Sequence, residues 1–268
     1  MSAVRVAIAG ASGRMGRALL EAATTTEGIA LAGALDIAGS PCAGRDAGEL
    51  CAGAQGVLVA TEPAAALQSA DVLVDFTRPE GTLGHVLACR KARKAMVIGT
   101  TGFAVAGLDE IRAAARDIAI VMAPNMSMGV NVMLKLVEAA ARVLPADYDI
   151  EVFEVHHKLK VDAPSGTALK LGEVAAKARG TSLGTDAVFA RHGVTGERRH
   201  GSIGFSSARG GDIVGDHTVF FAGPGERLEI THRAASRATY AQGAMHAAKF
   251  VAGKPPGLYD MNDVLGLK

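Results

Sequence analysis

Two adjacent imidazoles, His156 and His157, are followed by an ammonium group at Lys160 and by the run Ser165-Gly166-Thr167. Histidine is the side chain whose ordinary pKa lies near neutrality, and a lysine beside it can act as an acid or as a fixed charge. Proton donors and anion binders therefore fall within a short stretch of chain. The spacing predicts an acid/base site that handles a small, negatively charged molecule.

The histidines follow the segment Ile150–Val155, which predicts a β-strand. Because side chains alternate across a strand, His156 and His157 point in opposite directions unless the strand ends between them. We therefore expect one of them to be the acid/base group and the other to orient it or to bind a substrate oxygen. Metal binding by the pair is an alternative, but no third ligand pattern supports it, and no metal is predicted.

The segment after Lys160 carries the signals of a helix start. Ser165 can cap a helix predicted over Pro164–Ala178, because a serine oxygen accepts hydrogen bonds from the first turn. The backbone N–H groups of Gly166 and Thr167 would then be available to an anion. A capped helix without a ligand is the ordinary alternative, and the nearby Lys160 and histidines favour the anion site.

A glycine-rich turn lies between a predicted first strand, Val4–Ala9, and a helix that begins near Arg14. Its residues are Gly10, Ala11, Ser12, Gly13, Arg14, Met15 and Gly16. Such glycines make a tight turn, let the backbone approach a pyrophosphate, and let the helix pack on the strand. The helix N-terminus supplies N–H groups and a positive dipole end for phosphate. A ligand-free glycine turn is the alternative, and the strand before it and the helix after it favour a dinucleotide.

Asp36 stands twenty residues after Gly16, at the end of a second predicted strand, Ile29–Leu35. A carboxylate at this distance accepts hydrogen bonds from the adenosine ribose of a dinucleotide. It would also repel a 2′-phosphate, and the neighbouring Ile37 offers no compensating cation. The sequence therefore predicts a preference for NADH, or use of both NADH and NADPH, over strict use of NADPH.

Two more loops are expected at the same edge of the sheet. One contains Gly99, Thr100 and Thr101, and the other contains Ala123, Pro124, Asn125 and Met126. Each follows a short apolar run, and ligands of open α/β sheets bind beyond the carboxyl ends of the strands. Turn-forming loops without a ligand are the alternative, but their shared edge favours the cofactor site.

Apolar runs alternate with alanine-rich helical stretches up to Asn125, which predicts a doubly wound, Rossmann-like α/β sheet. Beyond it, a long helix and a strand-rich stretch, Phe189–Arg233, predict an inserted α+β domain. A final helix over Ser236–Ala252 is expected to pack back on the first domain. The predicted domains are residues 1–127 for the dinucleotide, 128–235 for the substrate, and 236–268 for the C-terminal helix and tail.

Composition excludes several classes of protein. The formal net charge of the 268 residues is +1, which argues against a nucleic-acid partner. No apolar stretch reaches the length of a membrane span. The three cysteines form no C-x-x-C pair, and the first residues resemble a strand more than a signal peptide, so a reducing cytoplasm is predicted.

Several segments together resemble the dihydrodipicolinate reductase (4-hydroxy-tetrahydrodipicolinate reductase) family of bacterial diaminopimelate and lysine synthesis. They cover nearly the whole chain. The most specific is His-His-Lys-Leu-Lys-Val-Asp-Ala-Pro-Ser-Gly-Thr-Ala at 156–168. The others are Gly-Ala-Ser-Gly-Arg-Met-Gly at 10–16, Asp-Phe-Thr-Arg-Pro-Glu at 75–80, Val-Ile-Gly-Thr-Thr-Gly-Phe at 97–103, Asn-Met-Ser-Met-Gly-Val-Asn-Val at 125–132, Gly-Asp-Ile-Val-Gly-Asp-His-Thr at 211–218 and Gly-Glu-Arg-Leu-Glu-Ile-Thr-His at 225–232.

The resemblance implies reduction by a nicotinamide cofactor of a cyclic, conjugated imine dicarboxylate, with loss of water from the hydroxylated substrate. It implies that His156 donates or accepts a proton and that Lys160 is the second proton donor. His157, Gly166 and Thr167 would bind the small dicarboxylate.

The same resemblance implies that the glycine turn, Asp36 and the two strand-end loops line the cofactor. It further implies a homotetramer joined through the sheets of the substrate domain. Many members carry arginine after the acidic residue, where this chain has Ile37. This departure leaves the choice between NADH and NADPH to experiment.

Two other functions compete. Another NAD(P) dehydrogenase of the same two-domain layout, such as an amino-acid dehydrogenase, would not need the string His-His…Lys. A protein that senses dinucleotides without catalysis would keep the glycines and lose the acid/base residues. Both sets are intact here, which favours the reductase.

Overall fold

A computed structural model of the chain describes residues 2–51 and 53–268. These residues form two compact units. Unit 1 runs to Met128 and resumes with Arg237–Lys268, and unit 2 is Gly129–Ser236. Unit 2 is therefore inserted within the sequence of unit 1.

The strands in chain order are β1 Val4–Ala9, β2 Ile29–Leu35, β3 Val59–Ala60, β4 Val72–Asp75, β5 Ala95–Ile98, β6 Ala119–Met122, β7 Asp149–His156, β8 Ala187–Val188, β9 Ile203–Arg209, β10 Gly215–Gly223, β11 Glu226–Ala234 and β12 Gly257–Tyr259. The helices are α1 Arg14–Thr25, α2 Pro63–Leu67, α3 Pro79–Ala92, α4 Val105–Ala114, α5 Met128–Val143, α6 Gly166–Ala178, α7 Leu183–Asp186, α8 Ala238–Val251 and α9 Met261–Leu265. A 3₁₀ turn covers Ala47–Leu50.

Unit 1 is built on a parallel sheet of seven strands in the order β12-β6-β5-β4-β1-β2-β3. Both faces of the sheet are covered. Val6 and Ile8 of β1 belong to one hydrophobic cluster, whereas Ala7 and Ala9 belong to another. Burial on both faces explains why the strands read as continuous apolar runs. The prediction of a doubly wound α/β sheet is confirmed.

Unit 2 contains a mixed sheet in the order β11-β10-β7-β9-β8. Strand β7 lies at its centre, antiparallel to β10 and parallel to β9. Ile150 and Val152 of β7 pack in a hydrophobic cluster with residues of α5 and α6. Because alternate residues of a strand share a face, Glu154 and His156 continue the same buried face toward the end of β7. The fold thereby carries polar groups to the rim of an apolar core.

Two details differ from the sequence predictions, and a third follows the exception that those predictions allowed. Within the described residues, the strands of the stretch predicted to be strand-rich begin only at Ile203, after an irregular segment. Strand β12 was not predicted, because Gly257–Tyr259 has too few apolar residues to form a recognisable run. Strand β7 ends at His156, so alternation along the strand does not decide where His157 points. No helix of the described residues is long and apolar enough to cross a membrane.

Candidate active site

The end of β7 brings two titratable side chains into the interior of unit 2. Glu154 is 1% exposed and His156 is 8% exposed. Oε2 of Glu154 lies 2.5 Å from Nδ1 of His156. A buried carboxylate is costly unless it is hydrogen-bonded, so its partners define the site.

Arg209, paired with His156 across the parallel strands β7 and β9, supplies the main partner. Its two terminal nitrogens donate to both oxygens of Glu154 at 2.8 and 2.9 Å. A bidentate guanidinium–carboxylate pair is strong and fixes geometry. Burial alone would raise the pKa of Glu154, but hydrogen bonds from Arg209, Ser207 and His156 outweigh it and bring the pKa to about 2. Glu154 is therefore a carboxylate at any physiological pH.

The electrostatic environment of His156 opposes its protonation. Burial lowers the pKa of His156, Glu154 raises it, and the positive charges of Lys160 and Arg209 lower it again. The net shift is downward, so the imidazole is neutral near pH 7. The effect of Lys160 on this pKa places the ammonium group and the imidazole of the predicted pair in one electrostatic environment.

A second buried imidazole, His217 on β10, lies beside His156. The two ring centroids are 5.1 Å apart in an edge-to-face arrangement. Burial, reinforced by the charge of His156, brings the pKa of His217 to about 4. Nε2 of His217 is 3.0 Å from the hydroxyl of Ser165. That hydroxyl also accepts a hydrogen bond from the backbone of Ala168, which makes Ser165 the N-cap of α6 as the sequence predicts.

The remaining predicted residues of this site lie nearby in the chain and in space. Ser165 donates its backbone N–H to Oε1 of Glu154 at 3.3 Å, which brings the start of α6 beside the carboxylate. Gly166 opens α6, and no atom lies within 4 Å of the position that a Cβ would take there. Thr167 follows it and is half-buried.

Lys160 and His157 complete the set. The ammonium of Lys160 donates to both oxygens of Asp162 at 2.8 Å, and that ion pair lowers the pKa of Asp162. Nδ1 of His157 is buried and has no hydrogen-bond partner within the described part of the chain. A buried ring nitrogen without a partner suits a polar group of a bound ligand.

In unit 1 the glycine turn has the shape that a dinucleotide requires. Gly10 has a φ of +71°, which a residue with a side chain rarely adopts. A Cβ on Gly16 would lie 2.0 Å from the carbonyl oxygen of Gly10, so only glycine lets α1 approach the turn. Helix α1 begins after Gly13 with no side-chain cap and no acidic residue in its first turn. Its N-terminus therefore fits an anion.

Asp36 lies at the carboxyl end of β2, where the sequence places it, and is 8% exposed. Its Oδ2 accepts hydrogen bonds from the backbone of Ser12 at 2.8 Å and from the thiol of Cys42 at 3.3 Å. Its Oδ1 accepts from the backbone of Ile37 at 2.8 Å. Burial would raise the pKa of Asp36, but these hydrogen bonds lower it overall. Asp36 thus holds the glycine turn, with acceptor capacity remaining on Oδ1.

The strand-end loops differ in what they present. Thr100 is buried; its hydroxyl accepts a hydrogen bond from Thr82 and donates one to Asp75. Gly99 is half-buried and Thr101 is exposed. In the other loop Pro124 is exposed, Asn125 half-buried and Ala123 buried. Met126 is fully buried in a hydrophobic cluster of unit 1, so only its backbone could face a cofactor.

Sequence reasoning overlooked Glu154, Arg209 and His217 as members of the site. The position of Glu154 two residues before His156, on the same face of a strand, was a usable signal. Arg209 and His217 reach the site through the register of β9 and β10, which a single sequence does not reveal. Among the described residues, no group of three or more His, Cys, Asp or Glu side chains could hold a metal ion.

Comparison with known families covers almost the whole chain. Residues 4–126 match the family description "Dihydrodipicolinate reductase, N-terminus", and residues 129–265 match "Dihydrodipicolinate reductase, C-terminus". A curated relative from Cupriavidus necator, named 4-hydroxy-tetrahydrodipicolinate reductase, is 61% identical over 99% of this chain and 100% of its own length. A relative of the same name from Aromatoleum aromaticum is 59% identical over 100% of this chain and 97% of its own.

Solved structures agree on the fold. A dipicolinate-bound dihydrodipicolinate reductase from Paenisporosarcina sp. TG-14 superposes with a TM-score of 0.78 at 24% identity, covering 97% of this chain and 98% of that one. The NAD complex of GenD2 from gentamicin A biosynthesis superposes with a TM-score of 0.61 at 14% identity, covering 100% of this chain and 91% of that one. At these identities the likeness is one of architecture.

Proposed function

Because this chain belongs to the dihydrodipicolinate reductase family, we propose that it reduces 4-hydroxy-tetrahydrodipicolinate to tetrahydrodipicolinate with NADH or NADPH, in diaminopimelate and lysine biosynthesis. The hydroxylated substrate loses water and gains one hydride and one proton, and the cofactor leaves oxidised. The protein is accordingly an oxidoreductase that handles a small, doubly negative ring compound.

The observation that carries the proposal is the arrangement at the end of β7. His156 and the backbone that opens α6 hydrogen-bond to the buried carboxylate of Glu154, and the ammonium of Lys160 is close enough to His156 to lower its pKa. A dicarboxylate needs cationic or N–H partners, and loss of water followed by reduction needs groups that move protons. This cluster contains both kinds of group within unit 2.

The residues divide these tasks. His156 exchanges a proton with the substrate, and Lys160 supplies the second proton while its charge attracts a carboxylate. His157, whose Nδ1 is buried and unpartnered among the described residues, forms a hydrogen bond with a substrate oxygen. Gly166 and Thr167 at the start of α6 bind a carboxylate, because a helix N-terminus carries a positive partial charge.

In unit 1 the residues fit a nicotinamide dinucleotide. The positive φ of Gly10, the close approach at Gly16 and the uncapped start of α1 form a cradle for the pyrophosphate. The loops of Gly99–Thr101 and Ala123–Met126, at the carboxyl ends of β5 and β6, line the rest of the cofactor. When bound, the nicotinamide supplies the hydride.

Asp36 favours NADH, or the use of both cofactors, over strict use of NADPH. Its carboxylate would accept a hydrogen bond from a ribose hydroxyl and repel a 2′-phosphate. The side chain of Ile37 is 76% exposed and uncharged, so it supplies no positive charge to offset that repulsion. Nε of Arg17 donates to the carbonyl of Ser12, which places a cation on the same turn. That positive charge favours some use of NADPH, whose 2′-phosphate it would attract, over strict use of NADH.

The family expectation of a homotetramer is also a proposal for this chain. Phe153 on β7, which is 39% exposed, and Phe220 on β10, which is half-buried, share the face of the sheet opposite the hydrophobic core in the single chain. Apolar side chains exposed on a sheet favour contact with a second sheet. Light scattering coupled to gel filtration tests this, since a monomer at micromolar concentration would contradict it.

The function is tested by following the loss of NADH absorbance with substrate made in situ from pyruvate and aspartate semialdehyde. Parallel reactions with NADPH give the cofactor preference, and reactions without the semialdehyde give the background. We expect turnover with at least one cofactor. Absence of turnover with both would refute the proposed function and revive the competing ones.

A further inference from the structure

Glu154 connects three segments that the proposed function uses. Through Oε2 it bonds to Nδ1 of His156, and through Oε1 it accepts from the backbone of Ser165 at the start of α6. Arg209 holds both oxygens and also donates to the carbonyl of Asp162, two residues after Lys160 in the chain. No other carboxylate among the described residues has this set of partners.

The donors around Glu154 determine where the proton of His156 lies. A carboxylate accepts hydrogen bonds and donates none, so Nδ1 must carry the hydrogen of the 2.5 Å contact. In a neutral imidazole the other nitrogen, Nε2, then holds a lone pair. The partners of Glu154 fill its acceptor sites, so a proton that arrives at this pair from outside has Nε2 as its destination.

The space around Nε2 is kept by a glycine. Gly215 begins β10, and a Cβ there would lie 2.9 Å from Nε2 of His156. A side chain at this position would contact Nε2, the ring nitrogen that carries the lone pair when Nδ1 is protonated. Glycine keeps that edge clear, which indicates that access to Nε2 matters.

We propose that Glu154, clamped by Arg209, is a positioning residue that holds His156 with Nδ1 protonated and presents Nε2 as the nitrogen that exchanges the proton. This inference rests on the proposed function and deepens it. In resting enzyme His156 is a proton acceptor, and it becomes a donor only after it has taken a proton at Nε2. Lys160 is then the group that is charged and ready to donate at the start of the cycle.

The charged and titratable neighbours of His156 come from its own strand, from the two strands beside it and from the segment that follows it. They are Glu154 on β7, Arg209 on β9, His217 on β10 and Lys160 after β7. Glu154 raises the pKa of His156, and the two cations lower it. His217, with its pKa of about 4, is neutral over the working range and adds no charge there. Loss of Glu154 therefore makes His156 harder to protonate.

A purely structural role is the competing explanation. The Glu154–Arg209 pair could simply join β7 to β9, and its removal would then lower stability and all activities together. The two explanations differ in the tautomer of His156 and in the pH dependence of turnover. Those are the quantities to measure.

The first measurement is the nitrogen–proton correlation spectrum of the full chain labelled with ¹⁵N-histidine, which distinguishes the two neutral tautomers. The signal of His156 is assigned as the one lost in His156→Asn. We expect the Nδ1-protonated form in wild type and a mixture of forms in Glu154→Gln. An Nε2-protonated His156 in wild type would overturn the proposal, and this reading does not depend on turnover.

The second measurement is the pH profile of kcat and KM for Glu154→Gln, Glu154→Asp and Arg209→Lys. A carboxylate that sets the tautomer of a catalytic histidine can be worth several orders of magnitude, so we expect kcat of Glu154→Gln to fall by about 10²-fold or more. Its acid limb moves to lower pH, and KM for the cofactor stays unchanged. Glu154→Asp keeps the negative charge, and Arg209→Lys keeps a positive charge beside it. We expect the kcat of each to lie between those of wild type and Glu154→Gln.

The matched control is Glu173→Gln on α6, whose carboxylate is exposed and pairs with Lys170. It should keep the wild-type profile. The positioning role is refuted if Glu154→Gln keeps the wild-type kcat and the wild-type pH of its acid limb. It is also refuted if the activity of this variant falls only as far as its fraction of folded protein falls. Inactive wild type with an Nδ1-protonated His156 would instead refute the proposed function and leave the tautomer standing.

Discussion

Oδ2 of Asp36 accepts a hydrogen bond from the backbone N–H of Ser12 at 2.8 Å, so the acidic residue after β2 holds the glycine turn after β1. The carboxylate therefore has two tasks. It fixes the backbone that would meet the pyrophosphate, and it places negative charge where the adenosine ribose would lie. Substitutions at this position should separate the two.

Replacing Asp36 with asparagine removes the charge and keeps one oxygen acceptor. We expect the efficiency with NADPH to rise at least about 10-fold relative to NADH, because the repulsion of a 2′-phosphate is lost. The ratio of kcat/KM for the two cofactors is the measurement. Asp109→Asn, an exposed change on α4, is the control and should leave the ratio unaltered. An unchanged ratio in Asp36→Asn would contradict the role of charge here.

A pair of helical glycines in unit 1 offers a comparison of opposite sign. In Gly16→Ala the new Cβ would meet the carbonyl oxygen of Gly10 at 2.0 Å, and we expect a loss of about 1–3 kcal/mol in the free energy of unfolding. Gly84 in α3 has no atom within 4 Å of such a Cβ, so Gly84→Ala should gain about 0.5–1 kcal/mol. Urea unfolding measures both. Equal effects would mean that the close approach at Gly16 is not required.

Much of unit 1 could be predicted from the sequence because its signals are local. Buried parallel strands appear as continuous apolar runs, and β1 and β2 begin and end at the predicted residues. Strand β12 could not be predicted, since its three residues are held by pairing with β6 and not by their own apolar pattern.

Only part of the site in unit 2 could be predicted from the sequence, and again it was the part whose signals are local. His156, Lys160 and the N-cap Ser165 are close in the chain, and their residue types announce their chemistry. The groups that tune them, Arg209 and His217, come from strands more than fifty residues away in sequence. Their positions depend on strand register, which is fixed by packing across the whole sheet.

The buried carboxylate of Glu154 should make the protein sensitive to acid. Its pKa in the folded protein is about 2, below the ordinary value of 4.5. A carboxyl whose pKa falls on folding stabilises the protein fully above its ordinary pKa, and this contribution is lost as pH falls toward the folded value. The difference in unfolding free energy between wild type and Glu154→Gln should therefore shrink between about pH 5 and about pH 3. Urea titrations across this range check it.

The lowered pKa values of His156 and His217 also weaken the fold in acid. The effect of His156 is larger in Glu154→Gln, because Glu154 raises the pKa of His156 in wild type. The exposed substitution Glu173→Gln should show no comparable pH dependence. A difference between wild type and Glu154→Gln that stays constant with pH would mean that the carboxyl is not held in its charged form by the fold.

Lys160 and His156 are expected to act in chemistry and not in cofactor binding. Lys160→Ala and His156→Ala should each lower kcat by about 10²–10⁴-fold, the range for a lost acid/base group. The dissociation constant of the cofactor, measured by fluorescence titration, should stay within a factor of about two, because the glycine turn belongs to unit 1. Lys158→Ala, an exposed neighbour, is the control. Near-normal kcat in both variants would refute the assigned roles.

Ser165 joins the start of α6 to the buried His217, and its hydroxyl should matter for both. Ser165→Ala removes the cap of Ala168 and leaves Nε2 of His217 without its hydroxyl partner. We expect a loss of about 1–2 kcal/mol in unfolding free energy together with a rise in KM for the dicarboxylate. Ser165→Thr keeps the hydroxyl and should recover most of both.

The control for this prediction is Ser182→Ala, because Ser182 precedes the short helix α7 and its side chain caps no backbone N–H. Its unfolding free energy and KM should match wild type. If Ser165→Ala loses stability but keeps KM, the hydroxyl serves only as a helix cap. A rise in KM that Ser165→Thr reverses would mean that the same hydroxyl also supports the carboxylate site, since it holds the first turn of α6, whose N–H groups would bind the anion.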